Sequence, residues 1–131
     1  MTKTILRSAA LLGALAVILG AFGAHGLKQL VPAETVSTFD TGVRYHFYHV
    51  FALLATGLLA AQYPSPLLKR AAQCFWIGIL LFSGSLYLLT FLKATDTVGL
   101  SKLGLITPIG GVFFILGWLL VFLAMGKKAS G

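Results

Sequence analysis

Three histidines, His25, His46 and His49, are the side chains of this sequence best suited to acid–base chemistry or metal ligation, because imidazole changes charge near neutral pH and is the commonest metal ligand. His46 and His49 are three apart and share a face if their segment is helical. At about 100° per residue that face continues through Gly42, Leu53, Thr56 and Gly57. Ser83, Ser85, Tyr87 and Thr107 add hydroxyls further along, and Asp40 with Arg44, four apart, form a candidate ion pair. Three imidazoles converging on one ion would make a metal or haem site, yet no H-E-x-x-H and no Cys or Glu set accompanies them. A nucleophilic Ser83 or Ser85 would need an adjacent His and an orienting acid. Asp40 is the only acid near them, and no nucleophile elbow is visible. The reading therefore assigns no catalytic residue, no metal and no cofactor, and expects no enzymatic activity. Cys74, the single cysteine, cannot pair within the chain and reads as small packing volume.

The elements that position these groups follow from composition. Of 131 residues, 58% are hydrophobic and 10% charged, and mean hydropathy is +0.94; a soluble domain carries about 25% charged residues. That is too little polar side chain to cover a small soluble particle. An ordinary soluble domain, a disordered chain and a disulfide scaffold are all excluded. Ten Lys and Arg against three acids give a formal charge of +7. The cations stand singly or in pairs between long apolar runs, without the basic stripe of a nucleic-acid binder. They read as charges that fix topology and touch lipid headgroups, so the partner expected is the lipid bilayer.

A spanning helix needs about 20 mostly apolar residues, and four segments qualify: about 8–24, 46–63, 71–92 and 108–125. Pro64-Ser65-Pro66 breaks the chain after the second. Thr107 is a candidate N-cap with Pro108 in the first turn; the alternative starts that helix near Ser101 with a kink at Pro108. The first span has a rival reading as a cleaved signal peptide, with a basic start and small residues at Ala21 and Ala24. Against it, Ala16, Gly20 and Ala24 repeat at four-residue steps, with Ala9 and Gly13 a further pair, the spacing that lets helix backbones approach in lipid. Gly23, Gly84, Gly110 and Gly111 are the other candidate packing positions.

Between the first two spans, Pro32 and Glu34 mark a helix start. Val36, Phe39 and Val43 then share a face, as in a short interfacial amphipathic helix over about 33–43. Tyr45, Phe47, Tyr48 and Phe51 follow as an aromatic belt. With four spans, one side of the membrane holds Lys3, Arg7, Lys69, Arg70, Lys127 and Lys128 and no acid. The other holds Lys28, Arg44, Lys93 and Lys102 with Glu34, Asp40 and Asp96. The positive excess places both termini in the cytoplasm. All three histidines then fall in the opposite half with Ser83, Ser85, Tyr87 and Thr107, while the inner half offers little beyond Thr56 for a transport path.

"GAFGAHGL" (Gly20 to Leu27), "TGVRYHFYH" (Thr41 to His49), "FSGSLYLL" (Phe82 to Leu89) and "TPIGGVFFILGW" (Thr107 to Trp118) stand in this order. Together they resemble the small integral-membrane family called domain of unknown function 423, with its YgdD-like and YwdK-like members. The resemblance implies four spans in a bacterial plasma membrane, or a mitochondrial membrane for the similar eukaryotic branch. It transfers no activity. The matching positions are Gly20, Gly23, His25, Gly42, Tyr45, His49, Gly84, Ser85, Tyr87, Thr107, Pro108, Gly110 and Gly111, while His46 is not matched to a motif position.

The expected molecule is thus a single all-α membrane domain over residues 1–131: a four-transmembrane-helix bundle with a short interfacial helix. Its expected role is non-enzymatic association with itself or with other membrane proteins, with lipid or a small ligand at the outer polar cluster. An oligomeric transporter or channel is the alternative, and a metal- or haem-bearing protein a weaker one.

Overall fold

The computed structural model describes residues 1–95 and 100–126. Asp96, Lys127 and Lys128 lie outside them, so the part of the charge argument that rests on those residues does too. The described chain is helical, without strands. Helix α1 is Thr2–Ala24, continued by a 3-10 turn at Gly26–Gln29. Helix α2 is Ala33–Gln62. Helix α3 runs over Pro66–Ala94 and contains a π turn at Ile79–Ser83. A 3-10 turn at Leu100–Leu105 leads into α4, Ile106–Gly126.

Three helices are long and apolar enough to cross a membrane: Thr2–Gln29, Pro66–Ala94 and Leu103–Gly126. The second, α2, does not meet that test, although four spans were expected. Its polar side chains dilute its hydropathy, but several face inward: Gly42, His46, His49, Leu53, Thr56 and Gly57 are all buried, as the face argument required.

The interfacial helix anticipated over about 33–43 is not a separate element; it is the first third of α2. Nothing in the sequence stops it, since Gly42 packs against a neighbour and Thr38 and Thr41 return their hydroxyls to the carbonyls of Glu34 and Ser37. The Pro64–Pro66 breaker acts as anticipated: Ser65 caps α3, its hydroxyl accepting the Leu67 N–H at 3.2 Å, with Pro66 in the first turn. Thr107 is not the cap of α4, because helical backbone already begins at Ile106 behind a 3-10 turn.

Packing follows chain order: α1 on α2, α2 on α3 and α3 on α4. The α1 seam runs through Ile5, Ala9, Ala16 and Leu27, all buried, with Gly13 facing Val50, Gly20 facing Val43 and Gly23 under the Phe39 ring. The seam steps by three and four residues alternately, the packing period of antiparallel helices. A run of four-residue steps drifts off that line, which is why Ala24 is exposed while Gly23 is in contact.

Helices α3 and α4 fit by exchange. The Phe114 ring fills the space beside Gly78, and the Phe75 ring fills the space beside Gly117. Gly110 lies so close to the Phe82 backbone that no Cβ fits. These three pairs advance in opposite directions along the two helices, which defines an antiparallel register. The outer surface is apolar: Leu11 is 74% exposed, Phe122 73% and Leu80 71%. Inside lie His46, His49, Thr56, Ser83, Ser85 and Thr90. This inversion of the soluble pattern suits a lipid solvent.

The glycines therefore differ in what they tolerate. Gly110→Ala should cost about 1–3 kcal/mol, because a backbone cannot step aside as a side chain can. Gly84→Ala and Gly111→Ala, whose added methyls meet nothing nearer than 3.9 Å, should unfold like the parent. Thermal unfolding in detergent, followed by circular dichroism, separates the two classes.

Candidate polar site

His49 projects from α2 towards α3 and α4 and is buried. Its Nδ1 lies 2.8 Å from the Tyr45 carbonyl oxygen one turn back. The Trp118 indole N–H of α4 donates to its Nε2 at 3.1 Å. Indole nitrogen only donates, so Nε2 accepts and Nδ1 carries the proton to Tyr45. The neutral ring with its proton on Nδ1 is the one form that satisfies both contacts. The imidazole stacks on Phe114 at 3.5 Å between centroids and 8° between planes, with Phe75 at 5.6 Å. These rings are the pair seated beside Gly117 and Gly78, so His49 closes an aromatic cluster that joins three helices.

His46, three residues earlier, takes a different set of partners. Its Nδ1 is 2.8 Å from the Tyr87 hydroxyl of α3. Ser83, fully buried in the π turn, donates to the Gly42 carbonyl at 2.7 Å. Gly42 is where α2 and α3 approach: a Cβ there would meet Tyr87 at 3.1 Å and Leu86 at 3.2 Å. A π turn carries one residue more than the regular helix turn, and Ser83 sits at its end, aimed at α2. His46 Nε2 is buried and has no hydrogen-bond partner among the described residues.

A third group joins α3 to the start of α4. The Ser85 hydroxyl donates to the Phe82 carbonyl at 2.8 Å and lies 2.5 Å from the Thr107 hydroxyl. Thr56 and Thr90 satisfy themselves on the carbonyls four residues back, at 2.7 and 2.8 Å.

Six of the residues singled out by sequence, His46, His49, Ser83, Ser85, Tyr87 and Thr107, thus enter contacts between helices, in three adjacent groups. Three do not. His25 is exposed at the end of α1. Asp40 and Arg44 pair at 3.0 Å on the surface, each 58% exposed, where such a pair contributes little. Among the described residues no group of three His, Cys, Asp or Glu could hold a metal ion.

Sequence reasoning missed Trp118 as a partner of His49. It also missed the Trp76 N–H donating to Ser8 at 2.8 Å, which ties α1 to α3, and the glycines at 78 and 117. The Phe-x-x-Gly spacing repeated at Phe75–Gly78 and Phe114–Gly117 is the signal that could have revealed the exchange.

Known proteins place this architecture in a family. Residues 19–111 match the family described as Protein of unknown function (DUF423). The UPF0382 membrane protein YwdK of Bacillus subtilis (strain 168) is 42% identical over 114 residues, covering 86% of this chain and 88% of its own. A UPF0382 membrane protein of Haemophilus influenzae is 41% identical over 130 residues, 99% of this chain and 98% of its own. UPF0382 membrane protein SAB0533 of Staphylococcus aureus is 40% identical over 124 residues. No solved structure matches. With its apolar helices and relatives that are named membrane proteins, this chain is a membrane protein and belongs to the DUF423 family.

Proposed function

We propose that this chain is a non-enzymatic, multi-pass protein of the bacterial plasma membrane whose buried polar groups act as a clasp. The clasp holds four helices in one register and leaves the outer apolar faces for lipid and for association with further copies or other membrane proteins. One observation carries this reading: among the described residues every buried side-chain polar atom except His46 Nε2 has a partner inside the protein. A clasp spends its hydrogen bonds internally, whereas a transport vestibule needs polar groups left open along a path.

In this reading α2 is the fourth span. Helices α1 and α3 both begin with exposed basic residues, Lys3 and Arg7 on one, Lys69 and Arg70 on the other. For both to start on one side, α2 must return the chain across the bilayer, and 30 residues are ample at about 1.5 Å each. The positive-inside rule puts those starts in the cytoplasm. A second reading, a small polar ligand at the cluster, rests on the open Nε2 of His46.

Two measurements test the proposal. In a Cys74→Ser background, an impermeant maleimide should label Thr4→Cys and Ser65→Cys from the cytoplasmic side and Lys28→Cys from the other. Labelling of Lys28→Cys and Ser65→Cys from one side would remove α2 as a span. For the clasp, His49→Phe and Trp118→Phe should each lower unfolding free energy in bicelles by about 1 kcal/mol, since interhelical bonds in membranes average ~0.6 kcal/mol. The double variant should lose little more than either single one. Fully additive losses would mean that the two side chains do not act together. For the second reading, native mass spectrometry of protein from its own membrane should show one retained small molecule that is absent from His46→Leu.

A further inference from the structure

At the end of the molecule where α3 begins and α4 finishes, a groove of about 870 Å³ opens between the two helices. Leu67 lines it from the first turn of α3, and Phe122, Leu123, Met125 and Gly126 line it from the last turns of α4. The lining is aliphatic and aromatic, and Phe122 is 73% exposed. The exposed cations Lys69 and Arg70 stand just beyond Leu67 in the sequence, and Arg70 is three residues on, over the same face of the helix. The exposed Lys3 and Arg7 at the start of α1 belong to the same end, where Ile5 and Leu6 meet Gly57 and Ser8 meets Trp76. None of these four cations pairs with a carboxylate among the described residues. The two described acids, Glu34 and Asp40, belong to the first turns of α2, at the opposite end.

An occupant matched to this place is apolar along its length and anionic at its basic end. A protein helix would bring backbone and side chains too bulky for a groove with one residue of α3 on its wall. A phospholipid tail follows the direction of the two helices and puts its headgroup at the level of Lys69 and Arg70. We propose that the groove holds one acyl chain of an acidic glycerophospholipid, with the phosphate held by Lys69 and Arg70. The site is separate from the polar clasp and stands or falls without it.

The test is native mass spectrometry of the protein equilibrated in mixed micelles with equal amounts of phosphatidylglycerol and phosphatidylcholine. One phosphatidylglycerol should be retained in preference. Each basic residue near a lipid surface adds about fivefold to the attraction of an anionic lipid. Lys69→Gln and Arg70→Gln should each cut the preference by about that factor, and the pair together should abolish it. Lys28→Gln with Lys93→Gln, which removes two cations from the other end, should leave it unchanged. Leu123→Trp, which fills the groove, should lower retention of the lipid in protein that melts like the parent; Leu67→Phe serves if that variant does not fold. Equal retention of both lipids by the parent would overturn the proposal. So would a preference lost with Lys28 and Lys93 but kept without Lys69 and Arg70, or one untouched in a folded groove-filling variant.

Discussion

The hydrogen bond from the Trp118 indole to His49 is the contact on which the arrangement of the last three helices turns. It crosses from α4 to α2, and it fixes which imidazole nitrogen holds the proton. That in turn aims the ring flat against Phe114. In water such a bond would compete with solvent and count for little. Among lipid-facing helices no solvent competes, and each polar side chain must find its partner inside the protein or leave it unmet. A single histidine therefore sets the rotation of α2 relative to both α3 and α4.

Close approach makes that contact reachable. Gly78 and Gly117 give room to the rings of Phe114 and Phe75, and Gly110 lets α4 meet the backbone of α3 at Phe82. Without these gaps the helices would stand apart by the width of a side chain, and Trp118 would not reach His49. The small residues of α1 perform the same task against Val43, Val50 and Phe39. Lipid tails are as apolar as leucine, so close fit and buried hydrogen bonds hold such helices together where hydrophobic burial cannot.

Much of this was legible in the sequence, and the gaps have physical causes. Composition dictates a lipid solvent, and the 100° face of α2 correctly selects Gly42, His46, His49 and Thr56 as interior. That face says nothing of partners. Whether His46 meets Tyr87 or Trp118 depends on how far each helix is rotated and shifted against its neighbour, and single-helix periodicity does not encode that. Gly84 and Gly111 looked like packing glycines but face open or ordinary contacts, whereas Gly78 and Gly117 are seated against rings. Small residues mark where close approach is allowed, and the facing aromatic decides where it occurs. The π turn at Ile79–Ser83 escaped notice because it leaves no residue signature, yet it precedes the point where Ser83 reaches Gly42. The separate interfacial helix failed for a simpler reason: amphipathic periodicity does not end a helix that lacks a breaker.

The central claim, that His49 is a neutral ring clasped between Tyr45 and Trp118, is open to direct measurement. Solid-state nitrogen NMR of the histidine-labelled protein in bilayers, with His46→Gln and His25→Gln to leave one ring, reports its protonation and tautomer. The account predicts one protonated and one bare nitrogen at neutral pH, with the proton on Nδ1 and a through-space contact from Nε2 to the Trp118 indole hydrogen. An imidazolium, or a neutral ring protonated on Nε2, would contradict it, because neither form can accept from Trp118.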